Sequence, residues 1–299
     1  KNDKAVPPLD ISPSHGLSGI HYEMPVASAQ VKSSLLLAGL YTKSEVTIIE
    51  PDYCRDHTER FLQFLGASID KTELKTQLFP GSKLSVPDGC ESLRIPSDIS
   101  SAAFFLVLSV LSPETHLVFE GIGVNPTRDG IIQHLNNMGA SIYIESLREE
   151  IGEPVGELRV RSSALRNTSV PKTLIPNLID EIPILAIAGI FASGDFEIRH
   201  AEELRVKESD RLSQIAKLCE SMGLSYQEFE DGIRIPDQQE IQDFSYHSAG
   251  DHRMAMSAII AALCAGVEAR VEGCDAIATS FPGFFELLRS MGCQFELSQ

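Results

Sequence analysis

The 299 residues are 43% hydrophobic and 22% charged, the make-up of an ordinary folded chain able to bury large cores and leaving no room for extensive disorder. With 42 acidic against 25 basic residues the formal charge is −17, which argues against nucleic acid as a main partner, because a phosphate backbone needs a basic face. A small anionic ligand stays possible, since a local cluster of Arg and Lys outweighs a distant surface screened by salt.

In chain order, residues 1–25 read as loose strand and turn. A first repeat follows, with helix 28–40, strand 45–50, helix 55–65 and a hairpin over 68–86 broken at Pro80-Gly81. Residues 92–95 are strand-like, and Pro96-Ser97-Asp98 marks a crossing between two bodies, with Asp98 capping the next helix. The second repeat has helix 100–111, strand 115–120, helix 128–138 and strands 141–146 and 157–161. The third has helix 180–192, strand 195–199, helix 207–222 and strands 224–228 and 232–235. The fourth has helix 251–265, strand 268–272, helix 280–291 and strand 294–297. Each second helix closes on a glycine, Gly66, Gly139, Gly223 and Gly292, at separations of 73, 84 and 69 residues. A period of this size marks an array of related supersecondary units.

The two helices of a repeat differ in kind. AAFFLVLSVL, IPILAIAGIFA and MAMSAIIAALCAGV are apolar on nearly every face and must be buried all round. RDGIIQHLNNM and KESDRLSQIAKLCESM carry one apolar stripe and lie half exposed. The expected fold class is therefore α/β (α+β), an inside-out prism with its helices inside and its sheets outside. Two domains are expected, 1–96 with one complete unit and a stub, and 97–299 with three units. One unit cannot enclose its own apolar helix, so the first domain reads as packed on partners or as lacking about two units, ~150 residues at this period.

Cys54, Cys90, Cys219, Cys264, Cys274 and Cys293 show no CxxC pair and no zinc spacing, and read as buried, reduced thiols of a cytoplasmic protein without a metal. The longest apolar runs, 182–192 and 254–267, are too short to span a bilayer, and no membrane association is expected. The opening Lys1-Asn2-Asp3-Lys4 has no signal-peptide pattern.

Polar residues that break the repeat fall at helix starts. In Arg205-Val206-Lys207-Glu208-Ser209-Asp210-Arg211, helical spacing places Lys207 and Arg211 on one face with Glu208 beside them. Two cations there oppose the helix dipole unless an anion joins them; the plain alternative is a solvated face with i,i+4 pairs. Asp251-His252-Arg253 heads the last apolar helix. Asp251 is an N-cap worth ~1 kcal/mol, whereas Arg253, pointing toward a core, wants a carboxylate or phosphate to grip. Asp180-Glu181 holds the matching place in the third repeat, with Asp180 either a routine cap or a proton acceptor. Ser28-Ala29-Gln30 opens the first helix and Arg55-Asp56-His57 the second, positions suited to anions.

VASAQVKSSLLLAGL, CRDHTERFL, DEIPILAIAG, EELRVKESDRL, DHRMAM and ATSFPGF, in this order, resemble the EPSP synthase (3-phosphoshikimate 1-carboxyvinyltransferase) family over nearly the whole chain. The resemblance implies two domains of three βαβαββ units each. It also implies transfer of the carboxyvinyl group of phosphoenolpyruvate to the 5-hydroxyl of shikimate 3-phosphate, with no cofactor or metal, by a monomer that closes its domains on substrate. By this resemblance Asp180 binds the attacking hydroxyl and takes its proton, and Glu208 handles the methylene proton of phosphoenolpyruvate. Lys207 lies on shikimate 3-phosphate, Arg211 and Arg253 hold phosphoenolpyruvate, and His252 supports them. Ser28, Ala29 and Gln30 contact shikimate 3-phosphate, with Arg55 on its phosphate.

Ser280 stands where some members carry Lys, and the family's first strand and next two units, with their Lys, Arg and Gly-rich loop, have no counterpart in residues 1–299. Those 299 residues alone are accordingly expected to be nearly inactive, and sensitivity to glyphosate, the family's inhibitor, stays open. The alternatives are a UDP-N-acetylglucosamine enolpyruvyl transferase and a non-catalytic binding module.

Overall fold

The computed structural model describes residues 10, 12, 16–237 and 240–298, so part of the expectation for 1–25 lies outside the described residues. Contacts divide the chain between Leu93 and Arg94 into two compact units.

In the first unit, strand β1 (His21–Glu23) pairs in parallel with β2 (Val46–Ile49), and helix α1 (Ala29–Gly39) is the crossover between them. Helix α2 (His57–Phe64) then leads into the hairpin β3 (Ile69–Thr72) and β4 (Lys75–Leu78), and β4 adds antiparallel to β2. The sheet order is β1-β2-β4-β3. The hairpin turns at Glu73-Leu74, not at Pro80-Gly81, which follows it. Proline cannot donate to a ladder, so it sits beyond the strands. Ser28 caps α1 by accepting from Val31 N at 3.3 Å. Helix α1 buries only Lys32, Leu36 and Gly39, while Val31 and Leu37 are exposed, because one repeat supplies no second and third apolar helix to surround it.

The second unit repeats the scheme. Its elements are α3 (Ile99–Leu111), β5 (His116–Gly123), α4 (Gly130–Asn137), β6 (Ser141–Glu150), β7 (Glu153–Arg161), α5 (Ile175–Leu178), α6 (Ile182–Ile190) and β8 (Phe196–Ile198). There follow α7 (Arg211–Ser221), β9 (Gln227–Phe229), β10 (Gly232–Ile235), β11 (Phe244–His247), α8 (His252–Ala265), β12 (Ala269–Glu272), α9 (Ile277–Ser280) and α10 (Phe284–Ser290). Helices α3, α6 and α8 pack on one another in all three pairings and form the centre of the core. The sheets β5-β7-β6, β8-β10-β9 and β11-β12 lie against them. Helices are thus inside and strands outside, as all-apolar helices require.

Each central helix is the crossover of a parallel connection, seen as the bridges Ser97 to Ile122 and Arg166 to Ser193 and as the pair β11–β12. Residues 92–95 form no strand, and the first strand of the second repeat is the single bridge at Ser97; the corresponding strands of the third and fourth repeats, unexpected from the residue pattern, are one bridge and the short β11. Strand β11 was missed outright, since FSYH is too short to show a period. The run 172–190 is long and apolar enough to cross a membrane, but it is broken into four short helical pieces and about two thirds of it is buried in this core.

All four repeat glycines adopt positive φ, at 94°, 100°, 76° and 85°. Each closes the same helix-end motif. Gly66, Gly139, Gly223 and Gly292 donate to Gln63, Asn136, Glu220 and Arg289, and the residues after them donate to Leu62, Leu135, Cys219 and Leu288. No strand forms over 294–297. Phe295 is held instead by ring contacts, 5.5 Å from Phe285 and under the Arg289 guanidinium. The segment FPGF anchors α10, with Phe281 and Phe284 lying 5.7 and 5.5 Å from Phe105. Of the six free cysteines, Cys54 and Cys219 are buried and the other four only half-buried.

Candidate active site

The second unit gathers charged side chains where α6, α7 and α8 begin. Asp180 lies in the single 3₁₀ turn Ile179–Glu181 before α6, not at the helix cap, because helix α6 starts two residues later and Pro183 occupies its first turn. Its Oδ1 is 3.5 Å from Lys207 Nζ and 3.5 Å from Arg211 Nη1. Arg253 Nη1 donates to the backbone carbonyl of Asp180 at 3.0 Å. Three cations from two separate repeats therefore share one acidic residue.

The expected helical face joining Lys207 to Arg211 does not exist. Helix α7 begins at Arg211, and Lys207 is extended at φ −78°, ψ −157° after the 3₁₀ segment Glu202–Val206. Asp210 caps α7 through Ser213 N, which ends the helix before Lys207 can join it. Lys207 reaches Asp180 along an extended backbone and also pairs with Glu203.

Among the described residues Arg211 is the largest fully buried side chain. Its Nε donates to Asp251 Oδ2 at 2.9 Å and its Nη2 to Glu208 Oε2 at 2.6 Å. Asp251 also accepts from Ser209 Oγ and from the amides of Arg253 and Met254, so one carboxylate both caps α8 and neutralises Arg211. Burial alone would raise the Asp251 pKa, but the Arg211 guanidinium and the Ser209 hydroxyl hold it below the usual carboxylate range. Arg211 Nη1 is buried and makes no well-aligned hydrogen bond among the described residues, but it is ion-paired with Asp180 Oδ1 at 3.5 Å. Glu208 is half exposed. His252, first in α8, is pushed down in pKa by burial and by Arg253, which leaves a neutral imidazole at pH 7.

In the first unit, Ser28, Ala29 and Gln30 start α1, with Gln30 exposed and the other two half-buried. Arg55 is not helical as expected but lies in the loop before α2, which opens at His57. Asp56 occupies the cap position without capping, because its carboxylate pairs with Arg60 and Lys71. Beneath lies an unexpected buried cluster: Lys32 Nζ is 2.9 Å from Glu50 and 2.7 Å from Glu59. Burial pulls the Lys32 pKa down, but Glu59 and Glu50 more than offset this and hold it above the usual lysine value. Burial and the neighbouring Glu50 push the Cys54 thiol up to about 12, so it stays protonated.

Sequence reasoning missed Asp251 as the counter-ion of Arg211, and it missed Glu181, Arg128 and Ser100, which touch one another under Arg253. The available signal was Glu181 itself, a carboxylate opening a helix apolar on every face.

The family model for EPSP synthase (3-phosphoshikimate 1-carboxyvinyltransferase) matches residues 1–288. Among curated relatives, the 3-phosphoshikimate 1-carboxyvinyltransferase of Desulforudis audaxviator is 48% identical over 276 residues, 92% of this chain and 63% of that protein. The enzyme of that name from Halorhodospira halophila is 44% identical over 296 residues, 99% of this chain and 66% of its own length. A solved EPSP synthase from Acinetobacter baumannii superposes with a TM-score of 0.88 at 39% identity, covering 95% of this chain and 65% of that one. The chain thus spans a little under two thirds of the length of the relatives it matches. On the family model and on identities well above 30% across almost all of its residues, the chain belongs to the EPSP synthase family.

Proposed function

We propose that the protein transfers the carboxyvinyl group of phosphoenolpyruvate to the 5-hydroxyl of shikimate 3-phosphate, releasing phosphate. The observation that carries this reading is the convergence of Lys207, Arg211 and Arg253 on Asp180. A carboxylate beside several fixed cations suits a reaction in which a hydroxyl is deprotonated next to anionic groups.

In this reading Asp180 accepts the proton of the attacking hydroxyl, which Lys207 orients. The hydroxyl oxygen bonds to C2 of phosphoenolpyruvate while Glu208 delivers a proton to C3, giving a tetrahedral adduct. Phosphate then leaves C2 while Glu208 takes a proton back from C3, which restores the double bond. Arg211, whose Nη1 stands 3.5 Å from Asp180, and Arg253 hold the phosphoenolpyruvate anion. Preorganised guanidinium groups oppose the repulsion between two phosphorylated reactants without reorganising during the reaction. Neutral His252 supports Arg253 without adding charge. In the first unit Ser28, Ala29 and Gln30 at the start of α1, and Arg55 in the loop before α2, are the proposed contacts to shikimate 3-phosphate. No cofactor is invoked.

Phosphate release by the full-length gene product tests this. Release is expected only with both substrates, and Asp180→Asn lowers kcat about 100- to 10,000-fold, the usual worth of a general base. Release supported by UDP-N-acetylglucosamine in place of shikimate 3-phosphate overturns the proposal.

A further inference from the structure

Beneath the proposed site lies a carboxylate that the mechanism does not use. Glu181 is 1% exposed and opens helix α6, whose residues 182–189 are all buried. Its Oε1 accepts from Ser100 Oγ in the first turn of α3 and stands 3.5 Å from Arg253 Nη1 at the start of α8. Arg128, just ahead of α4, donates through Nη2 to the same Ser100 hydroxyl, lies 3.2 Å from Asp98 and 3.9 Å from Glu181. Four chain segments are thus tied at one buried point. The Nη1 that meets Glu181 is the atom that donates to the Asp180 carbonyl, whereas Nε and Nη2 of Arg253 have no protein partner among the described residues.

We infer that Glu181 is a positioning residue: with Ser100 and Arg128 it fixes the guanidinium of Arg253 against the backbone of Asp180, and so sets the anion grip relative to the proton acceptor. The inference rests on the reading of the site given under Proposed function. A planar guanidinium held at one nitrogen by a carboxylate and a carbonyl keeps its remaining N–H groups in a fixed plane, available to an external anion. A guanidinium held by the carbonyl alone could swing about that single bond.

The electrostatics point the same way. Burial pushes the Glu181 pKa up, against the downward pull of Arg128, Arg253 and the Ser100 hydroxyl. Its Oε2 and the Nε of Arg128 are buried without partners among the described residues. A carboxyl whose folded-state pKa is raised destabilises the fold as pH climbs past its unfolded value of about 4.3. By this linkage a neutral side chain of the same shape is at neutral pH at least as compatible with folding as the ionised carboxylate. The charge is a cost to stability, which a hold on Arg253 explains and core packing does not.

The test is Glu181→Gln in the full-length gene product. The KM for phosphoenolpyruvate is expected to rise about tenfold, the scale of one lost charge-assisted contact. The KM for shikimate 3-phosphate is expected to stay within about twofold, and the thermal midpoint to be unchanged or higher. Combined with Arg253→Lys, the substitution should add no further rise in KM beyond Arg253→Lys alone, because the effect runs through that guanidinium. An unmoved KM for phosphoenolpyruvate, an equal rise for both substrates with a lowered midpoint, or strict additivity with Arg253→Lys overturns the inference alone. If the unmodified protein shows no shikimate 3-phosphate-dependent phosphate release, the reading of the site itself has failed.

Discussion

Arg211 is folded around three carboxylates, and its state depends on Asp251. That carboxylate has its pKa depressed in the folded protein, so its contribution is fully present above the unfolded value of about 3.9 and disappears as pH falls through the lower folded value. Denaturant unfolding from pH 7 to 2 should therefore show Asp251→Asn well below the unmodified protein at pH 7, with the gap narrowing below about pH 4. A gap that stays constant to pH 2 would contradict this sign. The amide keeps the cap but not the charge, so the comparison isolates the ion pair. Lys32 shows the same economy in the first unit, where two glutamates keep a fully buried ammonium charged. Asp180, Lys207, Arg211 and Arg253 were all legible in sequence as charges at repeat breaks. Their pairing was not, because Lys207 reaches Asp180 through an extended segment and not along a helix face.

At the scale of elements, the glycine of each repeat is the clearest device. Gly292 has φ 85° with no atom within 4 Å of a Cβ built on it, so Gly292→Ala meets only the left-handed backbone penalty. It should cost ~1 kcal/mol, read as a shift in urea midpoint with unchanged slope. Gly223→Ala should cost about as much, since the only close group, the amide end of the exposed Gln242 side chain 2.9 Å from a Cβ built there, can rotate away. The apolar helices α3 and α8 and the glycine ends were readable because hydrophobicity and φ are local properties. Strand β11 and the bridges at Ser97 and Arg166 were not, since a strand of one to four residues exists only through the partner that pairs with it.

For the whole molecule, four copies of one supersecondary idea are strung along a strongly acidic chain. The link from Gly81 to Asp98 contains no regular helix or strand beyond an isolated bridge at Ser97 and is exposed nearly throughout. Limited trypsin digestion of the native protein should cut first here, at Lys83 or Arg94, as exposed irregular chain is cleaved before packed elements. Mass spectrometry of the fragments checks this, and early cleavage inside α3, α6 or α8 would count against the described core.

By itself the chain of residues determined the repeat, the buried helices and the identity of the cations and carboxylates at helix starts, because periodicity, turn chemistry and charge are written locally. Only the tertiary structure decided that Asp180 is shared by Lys207, Arg211 and Arg253, that Asp251 neutralises Arg211, and that Glu181 lies under Arg253. These partners are from about 25 to 75 positions apart. Which of them meet depends on how three apolar helices pack, a property no segment possesses alone.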